Sequence, residues 1–383
     1  MTAEVRPARR RRWWRRPTLW ALVVVLALVA AAVGWAWNGA SGYYTYEPGN
    51  ALPVTASTGC VTSGGNPHLP GGGLCARLVV PADRVHPVAG KLLMVDVLVG
   101  QTTPWQYALA RLGLLDTFQR AAELHSARDV LGGAPAGQFT CQGVQEMDQA
   151  TTDAPVAALR RLGYSVKATY HGSQVFLVEA GSPALKGGVR CGDLIVAVDG
   201  RPTLTAAALV RAVESHAPGT VVTVTVHRPG TGGRPATRRV QVRLGSRPGD
   251  PKAGFLGIAT QDLPTYKLPF HVGIDVGDIG GPSAGLALTL GLLDALSSGH
   301  LTGGHTVAVT GTIASNGAVG PVGGVAQKTV AVERAGATLF LVPAAEVATA
   351  RREARPGLKV EGVTSLAQAL DDLRAIGGTI PRP

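Results

Sequence analysis

Two residues, a serine and a lysine, could do chemistry together. Ser283 lies in the run Gly280-Gly281-Pro282-Ser283-Ala284-Gly285, where an alternating segment from Tyr266 gives way to a glycine-rich turn and then a long apolar helix. Strand, turn and helix in that order put Ser283 at a helix start. There the backbone N–H groups lack intrahelical acceptors and the dipole end is positive, an environment that favours the oxyanion of acyl transfer. Alone, a Pro-Ser pair opening a helix reads first as an ordinary cap. Lys328 adds the second signal, because Val325, Lys328 and Val332 share one helix face at spacings of three and four. A lysine on an apolar face either snorkels its ammonium into water or is desolvated, and only desolvation makes its amine a usable general base at neutral pH.

The elements that must position this pair are short. Val307–Val309 is expected as a strand, Val325–Ala335 as the helix carrying Lys328, and Thr338–Pro343 (TLFLVP) as a further apolar strand. Three spaced motifs accompany them: Gly281-Pro282-Ser283-Ala284-Gly285, Thr310-Gly311, and Gly323-Gly324 ahead of Lys328. In this order, over roughly Leu268–Pro343, they resemble the proteolytic domain of the Lon protease family. The resemblance implies an α/β (α+β) fold and a Ser-Lys dyad, one of the alternatives to Ser-His-Asp. It makes Ser283 the nucleophile, Lys328 its base and later the acid, Thr310 the auxiliary that holds the amine, and Gly281, Pro282, Ala284 and Gly285 the nucleophile turn. Many Lon proteins have Thr-Gly-Glu where this chain has Thr310-Gly311-Thr312. The family also forms rings, so the resemblance implies a homo-oligomer.

Upstream, a strand at Gln174–Glu179 precedes Ser182-Pro183-Ala184, Gly192-Asp193 and Ile195-Val196-Ala197-Val198-Asp199-Gly200, followed by a helix near Thr205–Ser215 and a strand Val221–Pro229. About ninety residues here resemble a bacterial PDZ domain, a small, mainly β module that captures an extended peptide as an added strand. No GLGF-type loop is matched in them. Gly232–Lys252 reads as a hairpin and exit linker from its Gly, Pro and Arg content. Between Lys91 and Leu131 a strand-like run, KLLMVDVLVG, precedes a helical stretch near Pro104–Leu131.

Charge and hydropathy place the rest. The chain of 383 residues has a formal charge of +11, and seven arginines fall within residues 1–16, which alone carry +6. No other basic cluster compares, which argues against nucleic acid as a partner. From Leu19 to Trp37 runs an uncharged stretch long enough to cross a bilayer. Arginines before it predict a cytoplasmic N-terminus, with everything after about Asn38 outside and the protein held in the cell membrane by a single pass. A cleaved signal peptide is the other reading of this stretch. Outside the cytoplasm the four cysteines can pair. Cys60 and Cys75, which bracket a Gly/Pro-rich loop, are the better candidate disulfide, and Cys141 and Cys191 are the remaining two.

These readings divide the chain into a basic tail (1–17), a transmembrane helix (18–38), an N-terminal region (39–150) that is either separate or part of the protease fold, a PDZ domain (155–245) and a Lon-type domain (246–383). The expected function is ATP-independent cleavage of unfolded or exported proteins and peptides, assisted by the PDZ domain. ATP independence is expected because no G-x-x-x-x-G-K-[ST] loop occurs. No cofactor and no metal is expected, since no C-x-x-C, H-E-x-x-H or other ligand-spaced cluster is present. A trypsin-like protease would need a better nucleophile motif than Thr62-Ser63-Gly64-Gly65, and His271 near Ser283 reads as structural. The alternative from another class is a non-catalytic extracellular peptide-binding scaffold.

Overall fold

The computed structural model describes residues 17–55, 76–131, 136–230, 234–277, 279–297 and 300–381. The candidate pair Cys60–Cys75 lies outside them. The first part of the chain forms α1 (Pro17–Asn38), β1 (Tyr43–Thr55), β2 (Ala76–Val79), β3 (Lys91–Gln101), α2 (Pro104–Arg111), α3 (Leu115–Phe118), β4 (Glu123–Ser126), α4 (Ala127–Leu131) and the long α5 (Ala136–Arg161). The middle part forms β5 (Lys167–Val178), α6 (Pro183–Gly187), β6 (Leu194–Val198), β7 (Arg201–Pro202), α7 (Ala206–Glu214), β8 (Val221–Arg228), β9 (Ala236–Arg243), β10 (Gly245–Arg247), β11 (Asp250–Phe255) and β12 (Ile258–Lys267). The last part forms β13 (Gly273–Asp275), α8 (Gly285–Leu296), β14 (Thr306–Val309), β15 (Thr312–Ile313), β16 (Val319–Gly320), α9 (Val325–Arg334), β17 (Leu339–Pro343), α10 (Val347–Glu353), β18 (Lys359–Val363) and α11 (Leu366–Ala375).

Among these, Trp20–Asn38 of α1 has a mean hydropathy of 2.2 and is long and apolar enough to cross a membrane. The stretch near Pro104–Leu131, expected to be one helix, is broken. α2 opens with a capping box between Thr103 and Gln106 and is followed by Gly113 at φ 70°. The chain then enters β4, which pairs antiparallel with β1 (Tyr44 opposite His125).

Two sheets organise the rest. An eight-stranded sheet runs β13-β2-β1-β3-β14-β17-β18, with β4 also on β1. Its centre is parallel, with Leu92 of β3 opposite Val307 and Val307 opposite Leu339. Parallel strands are covered on both faces, which is why TLFLVP reads as an unbroken apolar run, and every residue of β17 is buried. On one face lies α8, apolar all round and buried from Gly285 to Ala295. It packs among Leu52, Val54, Met94, Ala154 and Leu373. The opposite face buries Phe340, Val342 and Val332 of α9.

A six-stranded sheet, β12-β5-β6-β8-β9 with β7 on β6, encloses a separate core of Val175, Ile195, Val222, Val224, Leu209 and Val213. Asp193, fully buried, is held by Arg228 through two bonds of 2.7 Å, so a charge inside this small module is paired at the junction of β6 and β8.

The topology differs from the division expected at 245/246. β12 pairs with β5 as far as Lys267 opposite Lys167, so the second sheet continues past that boundary, and residues 155–161 belong to α5 rather than to this module. The large sheet takes β1 to β4 from before the small module and β13 to β18 from after it. Pairing between β3 and β14 spans more than two hundred residues, and local sequence pattern carries no record of it.

Candidate active site

Ser283 stands in a single 3-10 turn, Pro282–Ala284, that runs directly into α8. Gly281 before it adopts φ 90°, ψ 152°, a conformation glycine takes without strain. Its N–H donates to the Gly143 carbonyl on α5 at 2.8 Å. The Ser283 carbonyl is held from the opposite side by the Gly311 N–H at 2.9 Å and by the Thr310 hydroxyl at 3.3 Å. One turn of chain is thus fixed by α5 on one side and by the end of β14 on the other.

Lys328 is 3% exposed, and its Nζ donates to Thr310 Oγ1 at 3.1 Å. Thr310 therefore joins the lysine to the serine's own backbone through one fully buried hydroxyl. α9 reaches this position because Gly324 precedes it at φ 66°, where a Cβ would lie 2.6 Å from Val97 Cγ2 on β3. Burial lowers the lysine from its ordinary 10.5 to about 8, opposed in part by the carboxylates of Asp96 and Glu346.

Asp96 was not singled out in the sequence, although an acid inside KLLMVDVLVG was its signal. It sits where β1 bulges between Pro48 and Ala51, and its Oδ1 accepts the Asn50 N–H at 2.5 Å. Burial raises its pKa, and the Asn50 bonds and the Lys328 charge oppose that rise. Asp96, Ser283 and Lys328 line one cleft of about 630 Å³. Met94, Val97 and Val99 of β3 form one wall, Ile279–Ala284 another, and Phe139, Glu146 and Met147 of α5 a third. His271 is exposed ahead of β13 and is not among the residues lining the cleft. No group of three or more His, Cys, Asp or Glu residues placed to hold a metal occurs among the described residues.

Cys141 of α5 is bonded to Cys191, two residues ahead of the buried Asp193. The two cysteines left as a remainder in the sequence therefore close a bridge between α5 and the small module. Nearby, the Gln138 side chain donates to the Val178 carbonyl at 2.6 Å, and that of Gln261 to the Gln145 carbonyl at 3.2 Å.

A second concavity, of about 220 Å³, lies between α7 and the start of β12. Leu209, Val210 and Val213 form its helical side, Ile258 and Thr260 its strand side, and Phe255-Leu256-Gly257 its end. Gly257 has φ 72°, and a Cβ there would meet Ser182 Cβ at 2.5 Å. β12 is the last strand of its sheet, so its outer edge has no neighbouring strand among the described residues. This end turn, Gly254-Phe255-Leu256-Gly257-Ile258, lies beyond the stretch read as PDZ from sequence.

A PDZ domain model matches residues 175–228, and a model of the Lon protease (S16) C-terminal proteolytic domain matches residues 255–373. The Lon protease of Methylocella silvestris is 39% identical over 93 residues, 24% of this chain and 11% of that one. Lon protease 2 of Bacillus subtilis is 31% identical over 127 residues, 33% of this chain and 22% of that one. This chain thus matches less than a quarter of the length of either relative. Among solved structures, the PDZ domain of an SdrC-like protein from Listeria monocytogenes aligns at 22% identity and a TM-score of 0.21, covering 24% of this chain and 92% of that one. The chain therefore joins a PDZ domain to a proteolytic domain of the Lon (S16) serine peptidase family.

Proposed function

We propose that this protein is a membrane-anchored serine endopeptidase acting on unfolded or exported polypeptides, with Ser283 as nucleophile and Lys328 as general base. The observation that carries this reading is the buried Lys328 amine, 3.1 Å from a Thr310 hydroxyl that also reaches the Ser283 carbonyl. A lysine lowered to about 8 is neutral in roughly a tenth of molecules at pH 7, against fewer than one in a thousand at 10.5. The neutral amine takes the Ser283 Oγ proton as the hydroxyl attacks the scissile carbonyl, and returns it to the leaving amine. The Gly285 and Leu286 N–H groups are taken by the Pro282 and Gly311 carbonyls, so the developing oxyanion takes its hydrogen bond from the turn ahead of the helix, the Ser283 N–H first. Thr310 orients the amine, and Asp96 steadies the ammonium formed during the reaction.

The groove between α7 and β12 takes an extended substrate segment as an added strand, with the Leu256–Ile258 turn receiving a chain terminus. α1 holds the protein in the membrane, and the arginines before it keep the N-terminus cytoplasmic, which places both domains outside. Cleavage needs no ATP, and several copies associate as Lon-type domains do.

The test uses the full chain in detergent with a reduced, alkylated protein as substrate. The wild type is expected to cleave it equally with and without ATP and Mg²⁺, and Ser283→Ala is expected to lose cleavage while keeping the wild-type unfolding midpoint. Equal cleavage by Ser283→Ala would remove the dyad. Peptide binding without cleavage by the wild type would favour the scaffold reading instead.

A further inference from the structure

The catalytic cleft contains only three ionisable acids or bases of ordinary charge among the residues lining it: Lys328, Asp96 and Glu146. For the proposed chemistry Lys328 must be neutral, and among the described residues the cleft then holds no cation to balance the carboxylates. Asp96 is already engaged, accepting the Asn50 N–H and facing Lys328. Glu146 is different. It projects from α5 one residue before the buried Met147, and its only hydrogen bond among the described residues comes from the Gln142 side chain at 2.9 Å, a neutral donor one turn away on the same helix. Phe139 lies two turns earlier on that face and is 37% exposed, a flat apolar surface along which an aliphatic stem can lie. The other walls, among them Val97, Val99 and Ile279, are apolar.

Among the described residues, a substrate chain entering such a cleft meets apolar walls and one carboxylate without a cationic partner. We propose that Glu146 determines specificity, its carboxylate taking the ammonium or guanidinium of a substrate residue that lies against α5. The preferred substrates are then peptides with a Lys or Arg flanked by apolar residues. This rests on the peptidase reading above, and it names the substrate class of that same site. A partly desolvated pair of this kind favours the cationic substrate by about tenfold over a neutral one of equal size.

The experiment uses the full chain in detergent and a set of apolar fluorogenic octapeptides in which each position in turn carries Lys, norleucine or Glu. For the wild type, kcat/KM is expected to favour Lys over norleucine by about tenfold at one position. That ratio should fall to near one in Glu146→Gln, and Glu146→Lys should favour the Glu peptide instead. A Lys to norleucine ratio in Glu146→Gln equal to that of the wild type overturns the proposal, whatever the absolute rates. In parallel, fluorescence anisotropy measures Kd of the same peptides for Ser283→Ala with and without Glu146→Gln. This arm reads the preference even where nothing is cleaved, and loss of the Lys preference only with the second substitution supports Glu146. Equal Kd values for Lys and norleucine peptides on Ser283→Ala would refute it. Failure of the peptidase reading shows itself separately, as cleavage that persists in Ser283→Ala.

Discussion

Burial of the Lys328 amine, on which the proposed chemistry rests, also bears on stability. In the unfolded chain it titrates at its ordinary 10.5, and in the folded one at about 8. Below pH 8 both states are protonated and the cost of burying the charge is present in full. Between 8 and 10.5 the unfolded chain holds more protons than the folded one, so stability rises with pH through that window. The shift corresponds to about 3 kcal/mol. Lys328→Met should therefore raise the unfolding free energy at pH 7, read from a denaturant melt, by up to about that amount, less what the lost Thr310 bond contributed, while abolishing cleavage. Lys328→Arg keeps the charge without an accessible neutral form and should be inactive. The wild-type rate should climb with pH through about 8 and then level off. In Asp96→Asn the limb should move to lower pH, because the carboxylate that supports the ammonium is gone. Single-turnover cleavage from pH 6 to 10 checks all three, and an unmoved limb in Asp96→Asn would separate that residue from the base.

At the scale of elements, α5 carries the connection between the two domains. Its Met147, Ala150, Ala154 and Ala157 are buried in the protease core, and the Gly143 carbonyl holds Gly281, ahead of the Pro282–Ala284 turn. Its opposite side is bonded to the small module through Cys141–Cys191 and through Gln138. The bridge joins residues 50 apart, and in the chain-entropy model such a crosslink stabilises by about 4 kcal/mol. Cys141→Ser with Cys191→Ser is expected to lower the unfolding free energy by an amount of that order and so to lower the unfolding midpoint, and dithiothreitol to do the same to the wild type. An unchanged midpoint in both would mean that packing of α5 already fixes the two domains together.

Over the whole molecule, the PDZ unit is an insertion within the strand order of the protease sheet, so its groove and the catalytic cleft share one supporting helix. Under the proposed function, a substrate long enough to reach both sites would bind with the second contact made intramolecular, which would lower KM without new chemistry. Val210→Glu places a charge on the exposed apolar side of the groove, outside the module's core. It should raise KM for an extended protein substrate by about tenfold relative to the shift seen with an octapeptide too short to span both sites. Parallel shifts for the two substrates would remove the groove from substrate recognition.

Some of this was decided by the sequence alone, because it depends on neighbours within a turn or two. The apolar length of α1, the glycine-rich turn before a wholly apolar helix, and the face shared by Val325, Lys328 and Val332 are local periodicities, and a helix repeats every 3.6 residues wherever it is packed. The expected strands at Val307–Val309 and Thr338–Pro343 are present for the same reason, as β14 and β17. Other features are properties of pairing between distant segments, which no local pattern encodes. The parallel register of β3 on β14 sets Met94 opposite Val309 and so carries Asp96 toward Thr310 and Lys328. The bulge in β1 leaves the Asn50 N–H for Asp96. Antiparallel pairing of β12 with β5 returns the Phe255–Ile258 turn to α7, some forty residues after that helix. The fold alone brings Cys141 to Cys191, because a thiol's partner depends on which Cα atoms end within about 6 Å, and here that is set by how α5 lies against the small module, 50 residues along the chain.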